Sequence, residues 1–551
     1  MFKYKFIITI LCFSYISILH SSINIPVNSA YYEKLEVLDS FGLVPSKLSG
    51  FKQISRKQMA KYLIEAWENR TRIIGCEDCA FVDEVLAYME NEFQTEISFL
   101  ENKNSENKII SNYKVIDTLE GELIGLDADS NAFSSENGIN AYLDAEYSSF
   151  VERKEGNEYE KGLNFFLRSN HYIEFWDRLT FLINPEFSIN TGADTSANDL
   201  IPILKRAYSK FTWDNFEIEV GKDSIIYGAA KQNSLLFSGN SKPIELIKVS
   251  NPYSAKLPWY FKYLGFAKIE VFTGLLGDRT DFDNVLLSGG RLSLKPFSFL
   301  EFGAEQSLLW YGDGAPSSDV MTHIIEFFGY RAKNDAGLIG GGISDRRFVF
   351  DLLLSFPNLL GLEFYISTCL EDTRGNHTGF PYYESYQFLD MMSYDFMLNL
   401  SRLTGDGRVS LALEYITHPA IMYRHVIWTS GYTNSQKIIG NFLGPDSDGV
   451  FAYYDYFYSL KHKFNFYPYL IIRDSDRYHN ITLPPEYIVG QTTTADNPAE
   501  TKFGSTFGHN FTINKFTLKS RMGLEYVWNY DFVEGQRNWN FILESLIEYK
   551  F

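Results

Sequence analysis

The chain ends in FILESLIEYKF, Phe541 to Phe551. Phe541, Leu543, Ile547, Tyr549 and Phe551 stand at two-residue spacing, interrupted only by Ser545, while Glu544, Glu548 and Lys550 occupy alternate positions. A period of two puts the first set on one face of a β-strand and the second on the other. Chain ends usually fray into water, so a strand that closes on an aromatic residue predicts surroundings that hold an apolar end.

The same period recurs upstream. Ile139, Ala141, Leu143, Ala145 and Tyr147 alternate with polar residues, as do Phe216, Ile218 and Val220 with Glu217 and Glu219. Phe348, Phe350, Leu352, Leu354 and Phe356 form an apolar row, and Phe516, Leu518, Met522, Leu524, Tyr526 and Trp528 form another across Ser520. So many apolar faces are hard to bury in one soluble core, but facing lipid they need no partner. Aromatics make up 17% of the 551 residues, with 37 Tyr and 46 Phe, a supply suited to girdles at two membrane interfaces. The terminal strand resembles the C-terminal signal of bacterial outer-membrane β-barrels, which is read by the barrel-insertion machinery. The expected fold is all-β and transmembrane: a closed antiparallel outer-membrane barrel of about eighteen strands, monomeric, with a small N-terminal helical domain.

Turn signals support alternating short and long connections. Short ones are expected at Asp177, Asp214–Asn215, Pro357–Asn358, Thr404–Gly407, His462–Phe464 and Asn514–Lys515. Long outer loops are expected at Thr191–Pro202, Gly228–Tyr260, Glu371–Glu384, His418–Gly449 and Asp474–Lys502.

The N-terminal part reads differently. Lys3 and Lys5 precede an apolar run, Phe6–Leu19, with the form of a signal peptide ending within residues 1–30; Cys12 lacks the context of a lipid anchor. Residues 31–103 are expected to be a helical periplasmic domain. Gly42 is placed as a helix C-cap, and Ser55 with Gln58 as a capping box before Met59, Tyr62, Leu63 and Ala66. A third stripe runs from Val82 to Leu100. Residues 104–136 are expected to form a linker, with one short strand at Lys108–Val115, and 137–551 the barrel.

A net charge of −19 argues against nucleic acid as a partner. Cys76 and Cys79 lack the second pair or histidines of a zinc site, and a local disulfide is expected, leaving Cys369 as the odd thiol. The chain has 9 His but neither an H-E-x-x-H nor a G-x-S-x-G motif. No catalytic, metal or cofactor residue is therefore assigned, and Asp446, Asp448 and Gly449 read as an Asp-stabilised turn rather than a calcium loop. Candidate sugar contacts are Trp310, Tyr311, Tyr382, Tyr383, Trp428, Tyr432 and Trp539, each of which taken singly reads more readily as a girdle residue.

One segment is unlike its neighbours: GKDSIIYGAAKQNSLLFSGNSKPIEL, Gly221 to Leu246. Its Gly221, Lys222, Asp223, Tyr227, Gly228, Ser234, Leu235, Leu236, Ser238, Asn240 and Pro243 resemble the signature of Wzi-type capsule assembly proteins. Lys222 stands where that family has Arg, Tyr227 where it has Trp, and Ala229 in place of Pro-Gly. Leu38, Gly42, Leu43 and Pro45, then Ile54, Ser55, Arg56 and Gln58, resemble the family's helical N-terminal part. The resemblance implies an eighteen-stranded outer-membrane barrel. It also implies a non-enzymatic, lectin-like role in attaching capsular or exopolysaccharide to the cell surface. The barrel pattern alone supports a porin or substrate-specific channel equally well.

Overall fold

The structure, a computed structural model, describes residues 21–70, 80–101, 110–133, 142–151, 153–191, 200–232, 234–316, 320–327, 344–371, 392–425, 427–473, 482–483, 487–488 and 498–551. The apolar run Phe6–Leu19 and the Cys76–Cys79 pair lie outside them.

Long strands follow one another with antiparallel neighbours. They are β1 (Ile110–Asp127), β2 (Gly162–Phe175), β3 (Leu179–Thr191), β4 (Ile201–Trp213), β5 (Phe216–Asp223), β6 (Ile244–Ser250), β7 (Phe266–Leu275), β8 (Leu286–Phe297) and β9 (Leu300–Trp310). The second half contributes β10 (Asp345–Phe356), β11 (Leu362–Leu370), β12 (Met392–Leu400), β13 (Val409–His418), β14 (Ser447–Ser459), β15 (His462–Arg473), β16 (Glu500–Ile513), β17 (Phe516–Trp528) and β18 (Arg537–Lys550). These 18 strands close on themselves, because β1 pairs with β2 on one side and with β18 on the other. Closure leaves no unpaired edge.

The wall is inverted relative to a soluble protein. On β18, Phe541, Leu543 and Ile547 point outward and are exposed, whereas Asn540, Ile542 and Glu544 are buried in the lumen. Buried positions elsewhere include Arg168, Glu186, Glu219, Lys248, Arg291 and Asp351, while Phe165, Phe181, Phe350, Phe364 and Phe503 are exposed. An apolar exterior around a charged interior is what a hydrocarbon surrounding selects.

One mouth carries the short turns and both ends of the barrel chain. There the Phe551 amide donates to Asp117 O at 2.9 Å, and Lys114 Nζ to Phe551 O at 2.6 Å. The expected short turns fall at this mouth, the one at β14–β15 being Leu460–Lys461 rather than His462–Phe464. The other mouth carries the long connections.

Helices α1 (Ala30–Ser40), α2 (Arg56–Arg70), α3 (Ala80–Glu92) and α4 (Gln94–Glu101) cover the short-turn mouth. Gly42 takes a left-handed φ of 71°, and Ser55 Oγ accepts from the Gln58 amide at 3.2 Å, as their sequence positions required. Leu35, Leu38, Leu63, Phe81, Leu86 and Met89 form the bundle's core. The barrel grips it with Arg402 over Phe41 (4.1 Å) and Arg408 over Phe81 (4.4 Å).

Three expectations are corrected. The stretch assigned to a linker holds all of β1, so the barrel begins at Ile110 rather than 137. Gly121 and Gly125 take outward positions there, and a register shift between Lys114 and Thr118 resets the phase, which together erase the alternation. Conversely, Leu143, Ala145 and Tyr147 belong not to the wall but to an inward-folded connection, where Glu146–Ser148 pairs with Ser130–Ala132. Finally, Gly228–Tyr260 is not one loop: β6 crosses it, concealed because Lys248 faces the lumen between outward Ile247 and Val249.

Candidate functional site: the filled lumen

Charges line the lumen, and many pair with a charge of opposite sign. Arg168 of β2 pairs with Glu122 (2.7 Å) and with Glu186 of β3. Lys210 of β4 reaches Glu217 and Glu219 of β5, each at 3.2 Å, and Lys248 of β6 returns to Glu219 at 3.2 Å. On the far side Arg291 of β8 contacts Glu305 and Asp351, and Arg347 contacts Asp345 (2.7 Å) and Glu371 (2.8 Å). Buried charges persist only when paired in this way.

The long connections fold into this polar shell. Phe133, Leu143 and Tyr147 from β1–β2, Ile225, Tyr227 and Leu235–Phe237 from β5–β6, and Met422, Tyr423, Trp428 and Tyr432 from β13–β14 form one apolar core inside the barrel. Lys154 and Glu155 fasten it electrostatically. Lys154 pairs with Glu122 (3.1 Å) and Glu544 (2.7 Å), while Glu155 pairs with Arg206 and with Lys205 at 3.5 Å. Burial opposes the Lys154 ammonium, but Glu122 and Glu544 hold its pKa above the usual lysine range.

The signature residues converge on this plug. Gly221 has a φ of 140°, and a Cβ there would lie 2.2 Å from Ala207 O, so only glycine fits this close approach of β5 to β4. Asp223 Oδ2 accepts from Asn24 Nδ2 (3.1 Å) and Gln53 Nε2 (3.2 Å) of the N-terminal region. Tyr227 donates its hydroxyl to Glu270 Oε1 at 2.8 Å, and Ser234 Oγ donates to Glu305. Buried Leu235 offers its carbonyl to the Tyr423 hydroxyl at 2.6 Å, beside buried Leu236. Ser238 donates to Gly440 O, and Asn240 Nδ2 to Ile438 O at 2.9 Å. Pro243 is buried just before β6, and Lys222, half-buried, pairs in register with Ala207.

The connection between α1 and α2 meets the plug from the other mouth. The Gly228 amide donates to Gly50 O at 3.0 Å, Lys52 N to Ile226 O at 3.3 Å, and the rings of Phe51 and Tyr227 make an edge contact at 5.7 Å. Glu301 on the wall accepts from Ser49 N (2.8 Å) and Gly50 N (3.1 Å). The two fillings thus touch inside the barrel. A cavity of about 120 Å³ opens among Asp117, Glu122, Lys154, Arg168 and Lys550.

The seven aromatic candidates are not brought together. Trp428 and Tyr432 are fully buried in the plug, with Trp428 edge-on to Phe282 at 5.3 Å, and so present no face to a polymer. Trp310 and Tyr311 end β9 at the long-loop mouth, where Trp310 Nε1 donates to Ser288 Oγ at 2.8 Å and its ring lies 4.5 Å from His323. Trp539 is exposed on the outer face of β18 against Tyr526 at 4.8 Å, a girdle position. Tyr382 and Tyr383 fall outside the described residues. Asp448 accepts from the Tyr415 hydroxyl at 2.8 Å where β14 begins, and among the described residues no group of three or more His, Cys, Asp or Glu is arranged to hold a metal. Inward folding of the signature loop as a plug was one reading of the sequence, but the aromatic core it shares with the β13–β14 connection was not assigned; left-handed Tyr423, Ser435, Gln436 and Asp446, each a non-glycine, mark how tightly that connection is folded.

Comparison with known proteins agrees with this architecture. A protein of Klebsiella pneumoniae, an uncharacterized 55.8 kDa protein in the cps region, is 23% identical over 154 residues; the match spans 28% of this chain and only 29% of that relative. The Escherichia coli Wzi, an outer membrane protein involved in group 1 capsule assembly and a carbohydrate-binding β-barrel, superposes with a TM-score of 0.63 at 14% identity. That superposition covers 96% of this chain and 99% of the other. Residues 143–540 match the family of the capsule assembly protein Wzi, so the chain belongs to that family and is an outer-membrane β-barrel protein.

Proposed function

We propose that this protein holds a capsular or exported exopolysaccharide at the cell surface without cleaving it. The observation that carries this reading over the porin alternative is the filled lumen. Loops enter from one mouth and the helical domain from the other, and Phe51 meets Tyr227 between them. A channel requires a continuous aqueous path, whereas an attachment protein requires only a rigid surface for its outer loops. Family membership and the carbohydrate-binding E. coli relative support a saccharide as the partner. The short-turn mouth, with its helices, is taken to face the periplasm, as in barrels of this class. Residues 31–103 are then a periplasmic domain, and the barrel is a monomer inserted through its terminal strand by the insertion machinery.

The polymer's location in a deletion strain tests the proposal. Loss of an attachment protein leaves total polysaccharide nearly unchanged and moves it from the cell pellet to the medium. Polymer trapped inside the cell would indicate an exporter, and unchanged surface retention would remove the proposal.

A further inference from the structure

The wall opposite the Lys154 latch is not charge-matched. Arg291 faces two acids, Glu305 and Asp351, and Arg347 faces two, Asp345 and Glu371. Beside them Asp395 of β12 and Glu414 of β13 are 0% and 2% exposed, and Glu414 stands opposite Met397, the next inward position of β12 after Asp395. Among the described residues no donor reaches either oxygen of Asp395 or Oε2 of Glu414. Two buried carboxylates at neighbouring positions repel strongly at low dielectric unless a positive charge lies between them.

Neutral oxygens surround the pair. Ser367 on β11 is directly opposite Asp395 in the ladder, also inward, 1% exposed, and its hydroxyl has no partner. The backbone N–H of Gln232 in the plug donates to Glu414 Oε1 at 3.1 Å, its side-chain Nε2 donates to the Tyr453 hydroxyl, and its Oε1 is buried and unpartnered. The Tyr365 hydroxyl, one inward position along β11 from Ser367, is likewise unpartnered. The nearest cations are engaged elsewhere: Lys231 with Glu36 at 2.9 Å, Arg153 with Lys231 O at 2.7 Å, and Lys52 with Ala229 O at 3.4 Å. A cavity of about 50 Å³ lined by Lys52, Ala229 and Met397 reaches this wall from the helical side, Met397 being the ladder neighbour of Glu414.

We propose that Asp395 and Glu414, with Ser367 and Gln232, bind a hard divalent cation of the calcium type. An all-oxygen set with two carboxylates suits Ca²⁺ and gives the +2 charge that neutralises the pair; it is unsuited to zinc, which takes nitrogen and sulfur. The ion ties Gln232 of the signature segment to β11–β13, so the plug is fastened by a cation on this wall and by Lys154 on the other.

The test uses purified, lipopolysaccharide-free protein in detergent with Tb³⁺ as the probe, which Tyr365 and Tyr453 can sensitise. Wild-type protein should show saturable, one-to-one sensitised luminescence displaced by Ca²⁺, and Ca²⁺ should raise its heat-modifiability midpoint above that in EDTA. Asp395→Asn relieves the repulsion, so it should be more stable than wild type in EDTA, less stable in Ca²⁺, and at least tenfold weaker for Tb³⁺. Ser367→Ala, which removes one neutral ligand, should weaken Tb³⁺ severalfold while the barrel still folds. A wild-type midpoint indifferent to EDTA and Ca²⁺ would overturn the site and leave the pair sharing a proton. Equal Tb³⁺ binding by Asp395→Asn would overturn it too, by placing the ion elsewhere.

Discussion

The barrel is filled by two bodies of different construction. The helical bundle packs Leu35, Leu63, Phe81 and Met89 with regular helical spacing, against Phe457 of the barrel wall. The loop plug gathers Tyr227, Phe237, Tyr423, Trp428 and Tyr432 from connections far apart in sequence, without repeating secondary structure, and depends on the wall for its shape. A loop can be buried only if its backbone polar groups find partners. Here side chains supply them: Asn240 for Ile438 O, Tyr423 for Leu235 O, Asn434 for Lys242 O. The plug's irregular backbone is therefore held by polar side-chain bonds, where the bundle's is held by its own helical hydrogen bonds.

Breaking the wall's ion pairs should harm the plug most. Arg291→Met leaves Glu305 and Asp351 buried without their cation, and the expected loss is about 3–5 kcal/mol in urea unfolding of the detergent-solubilised protein. A loss below ~1 kcal/mol would mean that the triad is not what anchors Ser234 and the plug. Trp428→Ala should cost about 3–5 kcal/mol through the cavity it leaves, with helical circular dichroism unchanged. Leu63→Ala, a loss of about 2–5 kcal/mol, should instead loosen the bundle and expose α2 to proteolysis. If either variant affects both bodies equally, they are one cooperative unit.

A pH experiment separates the bodies again. Burial pushes the Lys34 ammonium in α1 down to about 8 from 10.5, with Glu33 only partly opposing this. The unfolded chain therefore binds more protons between these values, and Lys34's unfavourable contribution, full below pH 8, fades as pH rises to 10.5. Wild type minus Lys34→Met should show stability rising over that window, read as a urea midpoint difference. A flat difference would mean that Lys34 is solvated. The smallest effect is expected from Asn240→Ala, about 1 kcal/mol per lost bond. Hydrogen exchange should quicken at Arg153, whose amide donates to Asn240 Oδ1 at 3.2 Å, while the bundle stays protected.

How much was readable follows from the same contrast. Strands such as β10 and β18, with large apolar residues at most outward positions, declare themselves by period two, and α2 by its cap and stripe. β1 did not, because glycines face outward and a bulge breaks the phase; Leu143–Tyr147 misled, because an alternating segment can bury its face against a plug as well as against lipid. The signature was legible as a departure from the pattern, yet its role as a set of plug contacts depends on partners as far as 202 residues away, such as Gly440 for Ser238. The aromatic candidates show the limit most plainly. Nothing local distinguishes buried Trp428 from outward Trp539.

Single-channel conductance in planar bilayers tests most directly the claim that the lumen is filled from both mouths. Wild-type protein should insert nearly silently, and a variant with residues 420–445 replaced by a short turn should open to sustained ionic current. Wild-type conductance like that of an open porin, unchanged by that replacement, would contradict the account.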